Sequence, residues 1–144
     1  MDTWHPLLVH FPIVLLPLSV GLDLAALVRR QPPWHGVAYG LLCLGALSSA
    51  AAVLTGNTAA DPYRQHPQLQ GLVGAHEDWA TSVLLLFFAL ALARLPLQLQ
   101  HRLRTRAFGL WLVVALAGCA LVWMTGYSGG ELVYQHGAGV NIKP

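Results

Sequence analysis

The sequence predicts an all-α fold, an integral membrane four-helix bundle. Three observations carry that expectation. Only 10% of the 144 residues are charged and the mean hydropathy is +0.55, whereas a soluble domain carries about 25% charged residues. Four apolar runs each reach the length of about 20 residues that a helix needs to cross the hydrocarbon core. The runs are continuous rather than alternating, which excludes barrel strands and leaves helices as the way to satisfy the backbone in lipid. Eight Lys+Arg and six Asp+Glu are too few to coat a soluble globule, and a net charge of +2 supplies no basic stripe for nucleic acid. Cys43 and Cys119 lie inside apolar runs, so neither a disulfide framework nor a CxxC metal site is present.

The spans are placed at about 7–28, 36–56, 76–95 and 105–127, in one domain covering the chain, with a tail over 128–144. Each is bounded by punctuation: Arg29-Arg30-Gln31-Pro32-Pro33, Gly56-Asn57, Pro96 and Gly126. Arg29 and Arg30 fall in the first inner connection, and Arg94, Arg102, Arg104 and Arg106 in the second, leaving only Arg64 and Lys143 as cations elsewhere. The positive-inside rule then puts both termini outside, on the periplasmic face of a bacterial inner membrane. Trp4, Trp79 and Tyr127 suit the outer interface, Trp34 and Tyr39 the inner one. Asp2 before the first apolar run is unlike the basic start of a cleavable signal peptide.

The chain also reads as two similar hairpins. His10 opens span one and Thr55-Gly56 closes span two; His76 opens span three and Thr125-Gly126 closes span four. Hairpins of equal direction are related by an axis along the membrane normal. Equating His10 with His76 places the two rings opposite each other near the outer surface.

Seven histidines are many for so apolar a chain. His35 and His101 fall in the inner connections; His5, His10, His66, His76 and His136 fall on or near the outer face. Ionisable groups within a span usually face the bundle interior and mark function. Two imidazoles from separate helices can grip a haem iron from opposite faces, and bundle cores are a usual place for such a site. Without a CxxCH attachment motif the group would be haem b, with His10 and His76 as axial ligands. The small residues from Gly40 to Ala52 offer either a slot for the macrocycle or a surface for helix packing. A zinc or copper ion held by His5, His10, His76 and His136, with Glu77, Asp78 or Glu131 nearby, is the alternative, although no tight ligand spacing supports it.

Gly129-Gly130 permits a sharp turn after span four. The tail would then cap the bundle or lie along the interface, where Tyr134, His136 and Arg64 could hydrogen-bond cofactor carboxylates. Asp23 and Arg30, seven residues apart on nearly one helix face, are expected to form an interfacial ion pair. No nucleophile triad, phosphate loop or carboxylate pair is present, so an electron carrier or subunit is expected rather than an independent enzyme.

The opening His5-Pro6-Leu7-Leu8-Val9-His10-Phe11-Pro12-Ile13 and the closing Gly129-Gly130-Glu131-Leu132-Val133-Tyr134-Gln135-His136-Gly137-Ala138-Gly139-Val140 resemble the bacterial four-span membrane family known as domain of unknown function 2231. The likeness includes Gly21-Leu22-Asp23, the Thr-Gly end of span two and a histidine opening span three. Some relatives resemble membrane parts of chains that also carry cytochrome or Rieske-type domains. The resemblance therefore implies redox chemistry, with its histidines at His5, His10, His76 and His136 and the redox domain on a separate partner. The expected function is haem b electron transfer with a quinol or a periplasmic cytochrome. The alternatives are a cofactor-free structural or assembly subunit of a larger membrane complex or homo-oligomer, with Ala89 and Ala93 on its partner surfaces, and a metal-ion-binding protein.

Overall fold

The structure, a computed structural model, describes residues 4–140. A short helix α1 (Trp4–Leu8) leads into α2 (His10–Arg29), followed by α3 (Pro32–Arg64), α4 (Gln70–Leu99) and α5 (Arg106–Tyr134). Chain neighbours pack side by side and α5 closes the ring against α2. The first span is α1 and α2 taken together, and all four spans are long and apolar enough to cross a membrane. Pro12 cannot donate to the carbonyl of Leu8, which accounts for the break in the helix at Val9.

The helices outrun the sequence expectation at the end that carries the termini. α3 has 33 residues, about 50 Å at 1.5 Å per residue, against a hydrocarbon core of about 30 Å. Gly56-Asn57 does not stop it, and Pro96 and Gly126 lie inside α4 and α5. Nor does Gly129-Gly130 turn the chain: α5 runs on to Tyr134, because two glycines cost helix propensity but break no hydrogen bond. The real turn comes at Gly137 and Gly139, where φ is +65° and +78°. It folds Ala138 onto a small apolar cap of Leu69, Val73 and Leu132, and the Gly139 amide donates to the Tyr63 hydroxyl at 2.7 Å.

At the other end two tight turns join the helices. Arg30 ends α2 at φ 54°, and the Gln31 amide reaches back to the Ala26 carbonyl at 3.0 Å. His101 follows α4 at the same φ, and the Arg102 amide reaches the Leu97 carbonyl at 2.9 Å. Both are left-handed caps that satisfy carbonyls orphaned at a helix end.

These matching turns reveal the internal repeat in its true register. Arg30 and His101 stand 71 residues apart, as do His5 and His76, Leu16 and Phe87, and Asp23 and Arg94. In the second helix of each hairpin, Gly45 matches Gly118 and Gly56 matches Gly129. A Cβ on Gly45 would sit 2.6 Å from the Leu16 side chain, and one on Gly118 would sit 2.9 Å from Phe87. The two glycines therefore mark equivalent close crossings within the two hairpins. The repeat is present, but His5 and not His10 is the counterpart of His76.

The core between the hairpins contains Leu16, Leu42, Phe87, Phe108 and Ala115, each at most 1% exposed. The apolar residues that remain exposed, among them Val28, Leu47, Leu54, Leu85, Leu110 and Val113, form the lipid-facing surface expected of a membrane bundle.

Candidate functional site

Two polar stations lie along the bundle. The one toward the arginine-bearing turns is fully enclosed. Asp23 of α2 and Arg94 of α4 are each 0% exposed. The Arg94 guanidinium donates through Nη1 to Asp23 Oδ2 and through Nη2 to Asp23 Oδ1 at 2.8 Å, making the fork that a carboxylate accepts best. Nη2 also donates to the His35 carbonyl at 3.0 Å, and the His35 ring donates from Nδ1 to Asp23 Oδ1 at 2.7 Å. The remaining surface of the cation is covered by aromatic faces. Its Cζ lies 4.8 Å from the Trp111 ring centroid, 5.2 Å from Phe108 and 5.7 Å from Tyr39. Phe108 and Trp111 stack nearly parallel at 5.5 Å, and Trp111 Nε1 donates to the Leu90 carbonyl at 2.8 Å. Arg94 Nε is the one donor of the guanidinium without a hydrogen-bond partner.

Such a site is coherent physically. A single buried ion would be expensive in this medium, but one carboxylate and one guanidinium sum to zero charge, and a neutral His35 ring completes the shell. Every helix of the ring contributes, so the cluster pins all four spans at one depth. It also corrects three expectations. Asp23 pairs with Arg94 rather than Arg30; Arg94 sits inside α4 rather than in a connection; His35 is buried within α3. The sequence reading ended span three at Pro96 and so pushed Arg94 toward solvent. Pro96 instead lies within α4, which ends at Leu99.

The second station lies toward the termini. The His5 ring donates from Nδ1 to the Ala52 carbonyl at 3.0 Å, with the Thr55 hydroxyl at 3.4 Å. Its Cε1 lies against Gly56, where a Cβ would come within 2.8 Å. His76 repeats this on the other hairpin. Its Nδ1 is 2.9 Å from Ser128 Oγ, its Cε1 lies against Gly129, and a Cβ there would come within 3.0 Å. Ser128 spends its only proton on the Thr125 carbonyl at 3.0 Å, so it accepts from His76. A carbonyl can only accept, so His5 Nδ1 carries a proton as well. Both rings are thereby held in the tautomer with the lone pair on Nε2.

The other sequence candidates are placed differently. His10 is exposed, and its Nδ1 donates to the Pro6 carbonyl at 2.6 Å, one turn back on its own chain. The ring anchored as His76 is anchored is therefore His5 and not His10. His136 is exposed and Tyr134 is 90% exposed. Arg64 is engaged by Asp61 and Glu77, at 2.6 Å each. No group of three or more His, Cys, Asp or Glu side chains suited to a metal occurs among the described residues.

Four apolar spans, closed into a ring with their few charged groups either paired inside or set at the ends, define an integral membrane four-helix bundle. A family model described as "Predicted membrane protein (DUF2231)" matches residues 1–142, and the chain belongs to that family. No curated protein and no solved structure matches it.

Proposed function

We propose that the chain is a membrane subunit with a two-imidazole metal-binding site at its terminal end, formed by His5 and His76. The observation that supports this is the matched preparation of the two rings. Both donate from Nδ1 to the second helix of their own hairpin, both lie on a glycine, and both keep the lone pair on Nε2. An imidazole fixed through one nitrogen by a hydrogen-bond acceptor is the usual form of a histidine ligand. Imidazole pairs suit zinc, copper, nickel and iron, with solvent or a partner completing the shell.

The same pair offers the axial donors of a b-type haem, which would add one-electron transfer to a quinol or a periplasmic cytochrome. The rings supply suitable donors, but each lies directly on a glycine, Gly56 or Gly129, which leaves no room for a flat macrocycle on that side. A single ion is therefore the form the geometry supports best. The arginine-bearing turns favour the cytoplasm, since Arg29, Arg30, Arg102, Arg104 and Arg106 gather there while Asp61, Glu77, Asp78 and Glu131 lie toward the termini. That orientation puts the histidine pair on the periplasmic side of a bacterial inner membrane.

A second reading, a cofactor-free subunit of a larger complex, is favoured by the lack of a third metal-ligating side chain among the described residues. In it, His5 and His76 only fasten helix ends. Elemental analysis and an absorption spectrum of the purified protein, oxidised and reduced, separate the readings. Near-stoichiometric metal that is lost in both His5→Ala and His76→Ala but kept in His10→Ala is the expected result. A Soret band with the same mutational pattern would establish the haem form. A colourless, metal-free protein that also fails to take up zinc or copper would overturn the proposal.

A further inference from the structure

A groove on the lipid-facing surface lies far from the histidine pair, between the arginine-bearing halves of α4 and α5. It has a volume of about 340 Å³ and runs between Leu90, Ala93 and Leu97 of α4 and Ala107, Leu110 and Val114 of α5. Its floor is Trp111, whose only polar atom is already spent on the Leu90 carbonyl. The small side chains of Ala93 and Ala107 open the groove, and nothing in its wall calls for a polar ligand. From Ala107 to Val114 it extends about 10 Å along α5 at 1.5 Å per residue.

Three arginines lie in or beside the connection that joins α4 to α5 at this end of the groove. Arg102, Arg104 and Arg106 are exposed, and no hydrogen bond or ion pair engages their side chains among the described residues. Arg106 directly precedes Ala107, which lines the groove. The connection between α4 and α5 carries no acidic residue to offset them. An apolar channel that ends in unneutralised cations at the depth of the headgroups matches a ligand with an apolar tail and an anionic head. We propose that the α4–α5 groove is a binding site for an anionic phospholipid, one acyl chain lying against Ala93, Ala107 and Trp111 and the phosphate meeting Arg102, Arg104 and Arg106. The cations supply the preference for anionic over zwitterionic lipid, since each basic residue near an anionic headgroup contributes separately. The groove supplies retention, because the tail covers apolar surface that would otherwise be loosely filled by passing lipid.

The full chain, stripped of lipid in detergent, is titrated with phosphatidylglycerol or phosphatidylcholine and followed by native mass spectrometry. Thermal unfolding with each lipid is measured in parallel. Phosphatidylglycerol is expected to bind at least tenfold more tightly and to raise the unfolding temperature more. The triple variant R102Q/R104Q/R106Q should lose that preference, and A93F/A107F should lose at least tenfold in affinity for phosphatidylglycerol. All five positions are exposed to solvent or lipid, and circular dichroism checks that helix content is kept. R29Q/R30Q, which alters the other turn, should bind as the unmodified chain does. Equal binding of the two lipids by the unmodified chain would overturn the proposal, as would a preference that survives in the triple variant. Unchanged affinity in A93F/A107F would reduce the site to a surface charge patch and overturn the groove. Displacement of the lipid by millimolar glycerol 3-phosphate would mean a site for a free anion and overturn it equally.

Discussion

Removing the charge of Asp23 is the sharpest test of the enclosed polar station. Asp23→Asn keeps the volume but leaves Arg94 charged and 0% exposed, with only the His35 carbonyl at 3.0 Å and the three aromatic faces around it. Two charge-assisted hydrogen bonds from Arg94 are weakened, each worth about 1.5–3 kcal/mol. Stripping one partner from a buried pair costs about 3–5 kcal/mol in total. At about 1.4 kcal/mol per factor of ten, the folding equilibrium constant falls by two to four orders of magnitude. Arg94→Met, which also removes the charge, should cost a similar amount because it strands the Asp23 carboxylate. The double variant carries no buried charge and should be more stable than the sum of the single losses implies, by about 2 kcal/mol or more. Unfolding in mixed micelles with increasing SDS, followed by tryptophan fluorescence, measures all three; Trp111, 4.8 Å from the guanidinium, makes the probe local. Losses that simply add, within about 0.5 kcal/mol, would show that the two groups are not coupled and would refute the reasoning.

Three glycines and Trp111 give the further predictions. Gly45→Ala and Gly118→Ala each force a Cβ into a neighbouring core side chain, at 2.6 Å from Leu16 and 2.9 Å from Phe87, and should each cost about 1–3 kcal/mol of unfolding free energy by overpacking. Because the crossings are equivalent but in different hairpins, the double variant should show the two costs adding. Gly56→Ala pushes on the His5 ring, so it should weaken the His5–Ala52 hydrogen bond, with a loss near the net value of about 1 kcal/mol. The ring nitrogen shifts of His5 in NMR spectra should move while those of His35 stay. Trp111→Phe keeps the stacked ring but deletes the second donor to the Leu90 carbonyl, and should cost about 0.5–1.5 kcal/mol.

The bundle was legible because hydropathy reports transfer into lipid directly: four runs of sufficient length admit few other folds. The ends were less legible. Past the hydrocarbon boundary the sequence turns polar, yet α3 continues through Asn57, Asp61 and Pro62 because helices three to five still pack on one another around Leu69, Val73 and Leu132. Punctuation misled for a related reason. Pro96 removes one donor near the end of α4, and packing outweighs that loss. Once the span was cut short there, Arg94 looked like a loop cation and its partner was sought on Asp23's own helix. The histidines were legible as a class, but assigning which one pairs with His76 needed the repeat register. The matching of Thr-Gly dipeptides set that register wrongly. The interval from Asp23 to Arg94 was available in the sequence, but an acid and a base do not look like repeats until they are seen to touch.

A duplicated bundle can hold charge only under the constraint of its own symmetry. Near a pseudo-two-fold axis, the two copies of one position face each other. Asp23 meets Arg94, and His35 meets the Phe108 ring at 5.5 Å. Identical charges at such a position would repel in a medium that screens them poorly, so a charged axial pair must be complementary, whereas neutral imidazoles can stay alike. Complementarity alone does not make the pair symmetric, and exchanging it shows why. In the variant D23R/R94D the net charge is unchanged and both groups remain buried. The His35 carbonyl, which now accepts from Arg94, would then face a carboxylate, and the His35 Nδ1–H would face a guanidinium. Two favourable contacts become two repulsive ones. The exchanged chain should therefore recover only part of the stability that either single reversal loses, remaining about 3–6 kcal/mol below the unmodified protein, the worth of two hydrogen bonds to charged groups. Adding His35→Phe should narrow the gap by removing the misdirected donor. Full recovery by the exchange alone, in the same unfolding assay, would mean that His35 takes no part in orienting the pair.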